Sequence, residues 1–175
     1  MIQQLNENIR VEPLSLIHSS SIFETIDKHR NELREWLPFV DSTKEKKDII
    51  NFINFSNADI HFPIFYDNSF AGLIGIKDID QDNRKAEIGY WISPEFQNKG
   101  IVTLVSQWLI RYAFNKLGIN RLQIRVAVDN RKSIRVAEKL KFKFEGIQRD
   151  GELLVSGFTD LNVYSLLKRE NEFNL

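Results

Sequence analysis

A short polar loop between a predicted strand and a long predicted helix carries the residue types that bind phosphate groups. The loop runs from Glu95 to Gly100, follows the apolar strand 86–92, and leads directly into a helix beginning near Ile101. The first turn of a helix presents backbone N–H groups without partners, at the positive end of the helix dipole. Gly100 lets the backbone approach an anion closely, and Lys99 adds a cation. The sequence therefore predicts a phosphate site, although neither the P-loop pattern nor the Gly-x-Gly-x-x-Gly dinucleotide pattern occurs.

Cysteine and histidine usage excludes several other chemistries. The chain has no cysteine, which excludes disulfides, thiol nucleophiles and Cys-ligated metal clusters. The three histidines, His18, His29 and His61, are scattered along the chain and lack metal-ligand spacing. We therefore expect no metal cofactor.

The helix after the loop and the elements around it must position this phosphate site. Apolar residues recur along the helix on a 3.6-residue period, and Gly118 is suited to end it. These residues are Ile101, Val105, Trp108, Leu109, Tyr112, Ala113 and Leu117. Residues 121–128 form the next predicted strand, 130–140 a helix, and 142–147 and 161–167 the last strands. This strand–helix–strand–helix–strand order predicts a mixed α/β sheet covered by helices.

The N-terminal part has weaker signals. We predict a short strand at 11–14, then a helix capped by Ser19 to Ser21 whose apolar stripe continues to Leu37. Ser42-Thr43-Lys44-Glu45 matches a capping box ahead of a second helix. Residues 62–66 and 70–78 are predicted to pair as a hairpin through an Asp67-Asn68 turn.

Length and composition are those of one globular domain spanning residues 1–175. The chain has 175 residues, of which 42% are hydrophobic and 27% charged. No run of 18 apolar residues and no signal-peptide pattern is present, so we expect a cytoplasmic protein without membrane contact.

The charge distribution points to an anionic partner. The net charge is zero, yet residues 96–149 hold 12 basic and only 3 acidic residues. Such a basic segment is compatible with a phosphorylated cofactor, with nucleic acid, or simply with a solvated face.

Four stretches carry a resemblance to a known family. Gln97-Asn98-Lys99-Gly100 after a strand resembles the acetyl-CoA loop of the GNAT superfamily of N-acetyltransferases. The strand 86–92 (AEIGYWI), the block 130–142 (NRKSIRVAEKLKF) and the segment 34–38 (REWLP) are similar to the ribosomal-protein serine/alanine N-acetyltransferase-like branch. Because these stretches occur in the family's order over nearly the whole chain, we interpret the protein as a member of that superfamily.

The resemblance implies a fold and a co-substrate. The fold is α/β (α+β): a single GNAT-like domain with a mixed, mostly antiparallel, twisted sheet and helices on both faces. Its two central parallel strands, here 86–92 and 121–128, splay apart. Acetyl-CoA is the implied co-substrate, with no metal. The residues implied to bind it are Tyr90, Trp91, Ile92, Gln97, Asn98, Lys99, Gly100, Ile101, Val102, Thr103, Asn130 and Ser133.

Three residues differ from the family pattern, and two of them, Val102 and Ala137, bear on the chemistry. Val102 stands where Gly or Ala is usual, so its side chain either crowds the pyrophosphate or points into the core. Ala137 stands where many relatives outside the branch carry a Tyr that protonates the leaving thiolate. Another group must then supply that proton.

The resemblance also implies catalytic roles. Glu87, near the start of the strand that leads into the loop, is the candidate general base, acting through a water; the alternative is a solvated carboxylate at a strand end. Ser133 is the candidate general acid or hydrogen-bond donor to the departing sulfur; the alternative is a helix-capping residue. Trp36, Phe39, Tyr90 and Trp91 are aromatic candidates for the acceptor pocket, or else core residues.

The expected function is acetyl-CoA-dependent N-acetyl transfer to a primary amine. A protein N-terminal α-amine, as on ribosomal proteins, is the first expectation, and a small polyamine-like amine is the alternative. A non-catalytic acyl-CoA sensor and a nucleic-acid binder are competing hypotheses, although no RNA-binding motif accompanies the basic segment. We expect no direct nucleic-acid partner and a possible homodimer or higher homo-oligomer.

Overall fold

Eight β-strands form one mixed sheet in the computed structural model, which describes residues 2–55 and 59–173. The strand order is β1-β2-β3-β4-β5-β6-β8-β7, and every neighbouring pair is antiparallel except β5 and β6. The strands are β1 (Gln3–Gln4), β2 (Ile9–Val11), β3 (Ile60–Tyr66), β4 (Ser69–Asp80), β5 (Lys85–Ile92), β6 (Arg121–Ala127), β7 (Lys143–Leu154) and β8 (Gly157–Leu167).

Helices cover both faces of the sheet, as predicted. They are α1 (Ser19–Lys28), α2 (Arg30–Leu33), α3 (Phe39–Ser42), α4 (Lys46–Phe55), α5 (Ile101–Asn115) and α6 (Arg131–Lys139). On one face, the even-numbered residues of the central strands, such as Ile74, Ile88 and Ile124, pack against α5 and α6. On the other, Leu73 and Trp91 pack against α1, α2 and α4. Alternation along each strand therefore separates an α5–α6 face from an α1–α4 face.

The predicted single helix from Ser19 to Leu37 is wrong. The helix is interrupted at His29, which separates α1 from α2. Ser19 to Ser21 lie inside α1, which follows a short 3-10 helix at Leu16–His18. The apolar stripe is continuous in space nonetheless, because Ile22, Ile26 and Leu33 all enter the same cluster. The hydrophobic periodicity therefore predicted the buried face but not the interruption of the helix at His29.

The predicted capping box at Ser42 to Glu45 is also wrong. Ser42 belongs to α3, and its hydroxyl donates to the carbonyl of Phe39 at 2.9 Å. The carboxylate of Asp48 instead accepts the backbone N–H groups of Lys44 and Glu45, at 2.8 and 3.0 Å. These hydrogen bonds lower the pKa of Asp48.

The central and C-terminal elements agree closely with the prediction, except for the lengths of the last two strands. The Asp67-Asn68 turn joins β3 to β4 with both residues at positive φ, 46° and 65°, which suits a two-residue hairpin. Strand β7 was expected to end at 147 and reaches Leu154, and β8 was expected to begin at 161 and begins at Gly157. No helix among residues 2–55 and 59–173 has the length and apolar character needed to cross a membrane.

Candidate active site

The sheet opens between β5 and β6. These parallel strands are in register over only three residue pairs, the last of which joins Glu87 to Gln123. Beyond it, β5 still pairs with β4 up to Ile92, and β6 still pairs with β8 up to Ala127. The backbone groups of residues 88–92 that point away from β4 therefore face a space, here called the β5–β6 gap. The splayed central strands that the family resemblance implied are confirmed.

The phosphate loop, residues 97–103, has the backbone geometry of an anion site. Asn98 and Gly100 both adopt left-handed conformations, with φ of 61° and 73°. Gly100 is the N-cap of α5 and gives it no side-chain cap. Within the described chain, the backbone N–H groups of Ile101, Val102 and Thr103 make no hydrogen bond. These are the unpaired donors that bind anions at a helix start.

A Cβ at position 100 would meet nothing within 4 Å, so the space beside Gly100 is open. The loop is also exposed at Asn98, Lys99 and Gly100. By contrast, Val102 is only 9% exposed. Of the two alternatives for Val102, the structure favours a side chain directed inward, which leaves the loop accessible.

Side chains around the phosphate loop brace it from both sides. The ammonium of Lys99 lies over the rings of Tyr66 and Phe96, at 4.8 and 5.2 Å from their centroids. The Lys132 ammonium donates to Oε1 of Gln97 at 2.7 Å, which joins the loop to the first turn of α6. Lys99 is thus exposed to solvent, with its ammonium group over an aromatic surface.

The first turn of α6 brings Asn130, Ser133 and Tyr90 together. Oδ1 of Asn130 accepts the backbone N–H of Ser133 at 3.1 Å, so Asn130 caps the helix. The hydroxyl of Tyr90 donates to the carbonyl of Ser133 at 3.5 Å, across the gap from β5. Burial raises the pKa of Tyr90 to about 12, which keeps the phenol protonated at neutral pH. The Ser133 hydroxyl makes no hydrogen bond with any described residue.

Glu87 lies on the α1–α4 face and is not the solvated carboxylate of the alternative interpretation. It is 5% exposed. Its Oε1 is 2.9 Å from the Lys77 ammonium, and its Oε2 accepts from Nε of Arg125 and, at 3.4 Å, from Gln123. Glu87 therefore sits where the gap begins, with both oxygens occupied.

Two further carboxylates lie beside Glu87, and sequence reasoning missed both. Asp78 sits at an irregularity of β4 with φ of 52°, and its Oδ2 is 3.2 Å from Nη2 of Arg125. Glu152 is half-buried on β7 and has no ion pair or hydrogen bond with the described residues. Burial raises its pKa, while the charges of Lys77, Arg125 and Glu87 also act on it. We call Lys77, Asp78, Glu87, Arg125 and Glu152 the ion-pair cluster.

The four aromatic candidates do not converge on one pocket. Trp91 is 8% exposed and packs against Phe70 inside the α1–α4 cluster. Tyr90 lies on the opposite face. Trp36 packs with Leu154 and the end of β6, and Phe39 is 41% exposed. Tyr90 and Trp91 are thus mainly core residues, Phe39 is exposed, and Trp36 lies beside the end of β6 at the mouth of the gap.

Comparison with known proteins identifies similar sequences over the whole chain. Residues 9–143 match the family model described as "Acetyltransferase (GNAT) domain". A Bacillus subtilis protein named "Putative ribosomal N-acetyltransferase YdaF" is 41% identical over 177 residues, covering 97% of this chain and 96% of that protein. The ribosomal-protein-serine acetyltransferase of Escherichia coli K12 is 27% identical, covering 93% and 94%. The spermidine N(1)-acetyltransferase of the same organism is 29% identical, covering 69% and 66%.

A solved structure with a bound co-substrate is also similar. It is the microcin C7 self-immunity acetyltransferase MccE in complex with acetyl-CoA and AMP. The identity is 28%, the TM-score 0.86, and the match covers 93% of this chain and 94% of that one.

Proposed function

The chain belongs to the GNAT acetyltransferases, and from that premise we propose that it transfers acetyl from acetyl-CoA to the α-amine at the N-terminus of a protein. The observation that carries the proposal is the β5–β6 gap. The phosphate loop and Ser133 lie toward its α5–α6 face, and the ion-pair cluster lies on its α1–α4 face. A donor and an acceptor can therefore meet in the gap from opposite sides.

The geometry of the phosphate loop fits the pyrophosphate of acetyl-CoA. The three unpaired N–H groups of residues 101–103 and the open space at Gly100 leave room for phosphate oxygens. The edge of β5 at Tyr90, Trp91 and Ile92 is free to pair with the pantetheine amides, as a peptide pairs with an open strand. Acetyl-CoA, when bound, supplies an activated thioester. The chain's residues orient it and manage protons.

Ser133 is proposed to assist departure of the thiolate. Its backbone is fixed twice, by Asn130 through its N–H and by Tyr90 through its carbonyl. Its hydroxyl is left free to donate a hydrogen bond to sulfur. Ala137, one turn later, is fully buried and has no hydroxyl that competes for this role.

The ion-pair cluster is proposed to receive the proton of the acceptor amine. An α-amine has a pKa of about 8, so a substantial fraction is neutral near pH 7 and needs little help. Glu87 keeps the proposed role of water-mediated base, with Lys77 and Arg125 holding its carboxylate in place. Glu152, which makes no close ion pair with a described residue, is the second carboxylate proposed for this role, because its charge interacts with that of Glu87.

A protein N-terminus is the preferred acceptor, and a small polyamine is the alternative. The names of the two ribosomal-type relatives support the first, because both align over nearly the full chain. The spermidine-type relative supports the second over a shorter alignment. The sensor hypothesis is set aside because the matching family and the named relatives are acetyltransferases.

The test is a continuous thiol assay of CoA release. The protein has no cysteine, so every thiol detected is CoA. The panel contains peptides beginning with Ser, Ala and Met, one lysine peptide with a blocked N-terminus, and spermidine. We expect release that depends on a free α-amine. A rate that is highest with spermidine or with the blocked lysine peptide would refute the proposed acceptor. Thiol release equal to the hydrolysis blank with every amine would refute the proposal as a whole.

A further inference from the structure

The ion-pair cluster has a charge balance that bears on acceptor choice. Its three carboxylates face two cations, and the pairing is uneven. Arg125 bridges Glu87 and Asp78, while Lys77 takes the other oxygen of Glu87. Glu152 makes no close ion pair with a described residue, although the charges of Lys77 and Arg125 act on it, so the cluster holds one carboxylate more than it has cations.

The pairing of the strands fixes the positions of the two cations, Lys77 and Arg125. Arg125 lies on β6 two residues beyond Gln123, the last residue in register with β5, so it lines the open gap. Lys77 is the register partner of Glu87 on β4, and its side chain runs over Gly89, where a Cβ would approach the Lys77 Cε to 3.4 Å. The irregularity of β4 turns Asp78 to meet the Arg125 guanidinium.

We propose that Lys77 and Arg125 are specificity-determining residues that exclude polyamines. They pair with the carboxylates of Asp78 and Glu87, so that only the carboxylate of Glu152 is left to bind a single ammonium group. The inference rests on the proposed function and names its acceptor class more narrowly. Each ammonium that enters the gap loses water and needs a counter-charge. A mono-amine finds one at Glu152. The further ammonium groups of a polyamine meet Lys77 and Arg125, and like charges repel.

The experiment compares acceptor preference in three variants. Arg125→Gln and Lys77→Gln each free carboxylate oxygens of the cluster. Arg121→Gln is the matched control, because Arg121 lies at the other end of β6 and pairs with Glu145 at 2.7 Å. For each protein, kcat/KM is measured with spermidine and with a Ser-starting peptide, at low and at high salt.

We expect Arg125→Gln to raise the spermidine-to-peptide ratio of kcat/KM about tenfold, as one surface charge pair allows. Lys77→Gln should raise it in the same direction and Arg121→Gln should leave it unchanged. The gain should shrink in high salt, which a purely structural change would not produce. If Arg125→Gln does not fold, Lys77→Gln carries the test, since its side chain is 41% exposed.

Unchanged ratios in folded variants would overturn the inference while the proposed function stands. A wild-type protein that prefers spermidine to the peptide would overturn both. If the proposed function itself is wrong, the result is different: the wild-type protein releases no CoA with either amine.

Discussion

Replacing Gly100 by Ala tests the phosphate loop with a small change. The φ of Gly100 is +73°, and a left-handed conformation costs an L-residue about 1–2 kcal/mol. No steric clash adds to this, since nothing lies within 4 Å of the new Cβ. For a chain of this size the loss lowers Tm by about 2–4 °C per kcal/mol. The methyl group also enters the space proposed for phosphate. Losing one charge-assisted hydrogen bond, about 1.5–3 kcal/mol, weakens acetyl-CoA binding by roughly 10- to 150-fold.

Gly118 provides the matched control at the other end of the same helix. Its φ is +70°, and a Cβ there also meets nothing within 4 Å. Gly118→Ala should therefore lower Tm by a similar amount while leaving the Kd of acetyl-CoA unchanged. Thermal unfolding and isothermal titration of both variants separate the cost in stability from the cost in binding. An equal Kd in the two variants would refute the assignment of the loop as the phosphate site.

Ser133→Ala should lower kcat about tenfold or more with an unchanged Kd for acetyl-CoA, as loss of a proton donor does; full activity in the thiol assay would leave Ser133 only a helix-capping role. Glu87→Gln should cost more rate at pH 6.5 than at pH 8.5, because the acceptor amine loses its own proton at the higher pH; a loss independent of pH would point to positioning. Ser106→Ala should raise stability by about 1 kcal/mol, since the Ser106 hydroxyl is fully buried and has no partner among the described residues; a lower urea midpoint would contradict this. Arg121 and the Ser165 hydroxyl hold the pKa of Glu145 at about 2. The folded state therefore binds fewer protons than the unfolded state as pH falls from about 4.5 to 2, and stability declines in that window. Glu145→Gln should flatten this decline in urea titrations, and an unchanged slope would count against the pairing.

The phosphate loop and its helix could be predicted because their signals are local. A polar loop, a glycine and a 3.6-residue apolar stripe occur within about 25 consecutive residues, and φ, capping and burial all follow from them. The same holds for the β3–β4 hairpin, where Asp67 and Asn68 favour the turn that the strands require.

The ion-pair cluster could not be predicted because its signals are distant in the chain. Glu87 meets Lys77 through the β4–β5 register and meets Arg125 across the other edge of β5, on the neighbouring strand β6. Only the register decides that these side chains meet, and register is a property of the whole sheet. The apolar alternation of β5 predicted the strand that carries Glu87, but it could not predict the ion-pair partners of Glu87.

Glu152 was missed for a different reason. The segment 148–152 reads Gln-Arg-Asp-Gly-Glu, which has no alternation and the composition of a loop. It belongs to a strand because β8 pairs with it on both sides of an irregularity at Gln148 to Glu152. Pairing thus overrides a weak local preference, as is common for strands.

The shortness of the β5–β6 pairing has a mechanical consequence. Three residue pairs join the half-sheet β1–β5 to the half-sheet β6–β8, fewer than join β5 to β4 or β6 to β8, so the junction between the two half-sheets is short. Opening such a junction exposes little apolar surface compared with global unfolding, and local opening of this kind governs amide hydrogen exchange. A ligand whose amides hydrogen-bond between β5 and β6 extends the sheet there, as a short additional strand would. The co-substrate is then a reactant and also a structural link between the two half-sheets. When it is bound, the two half-sheets unfold as one unit.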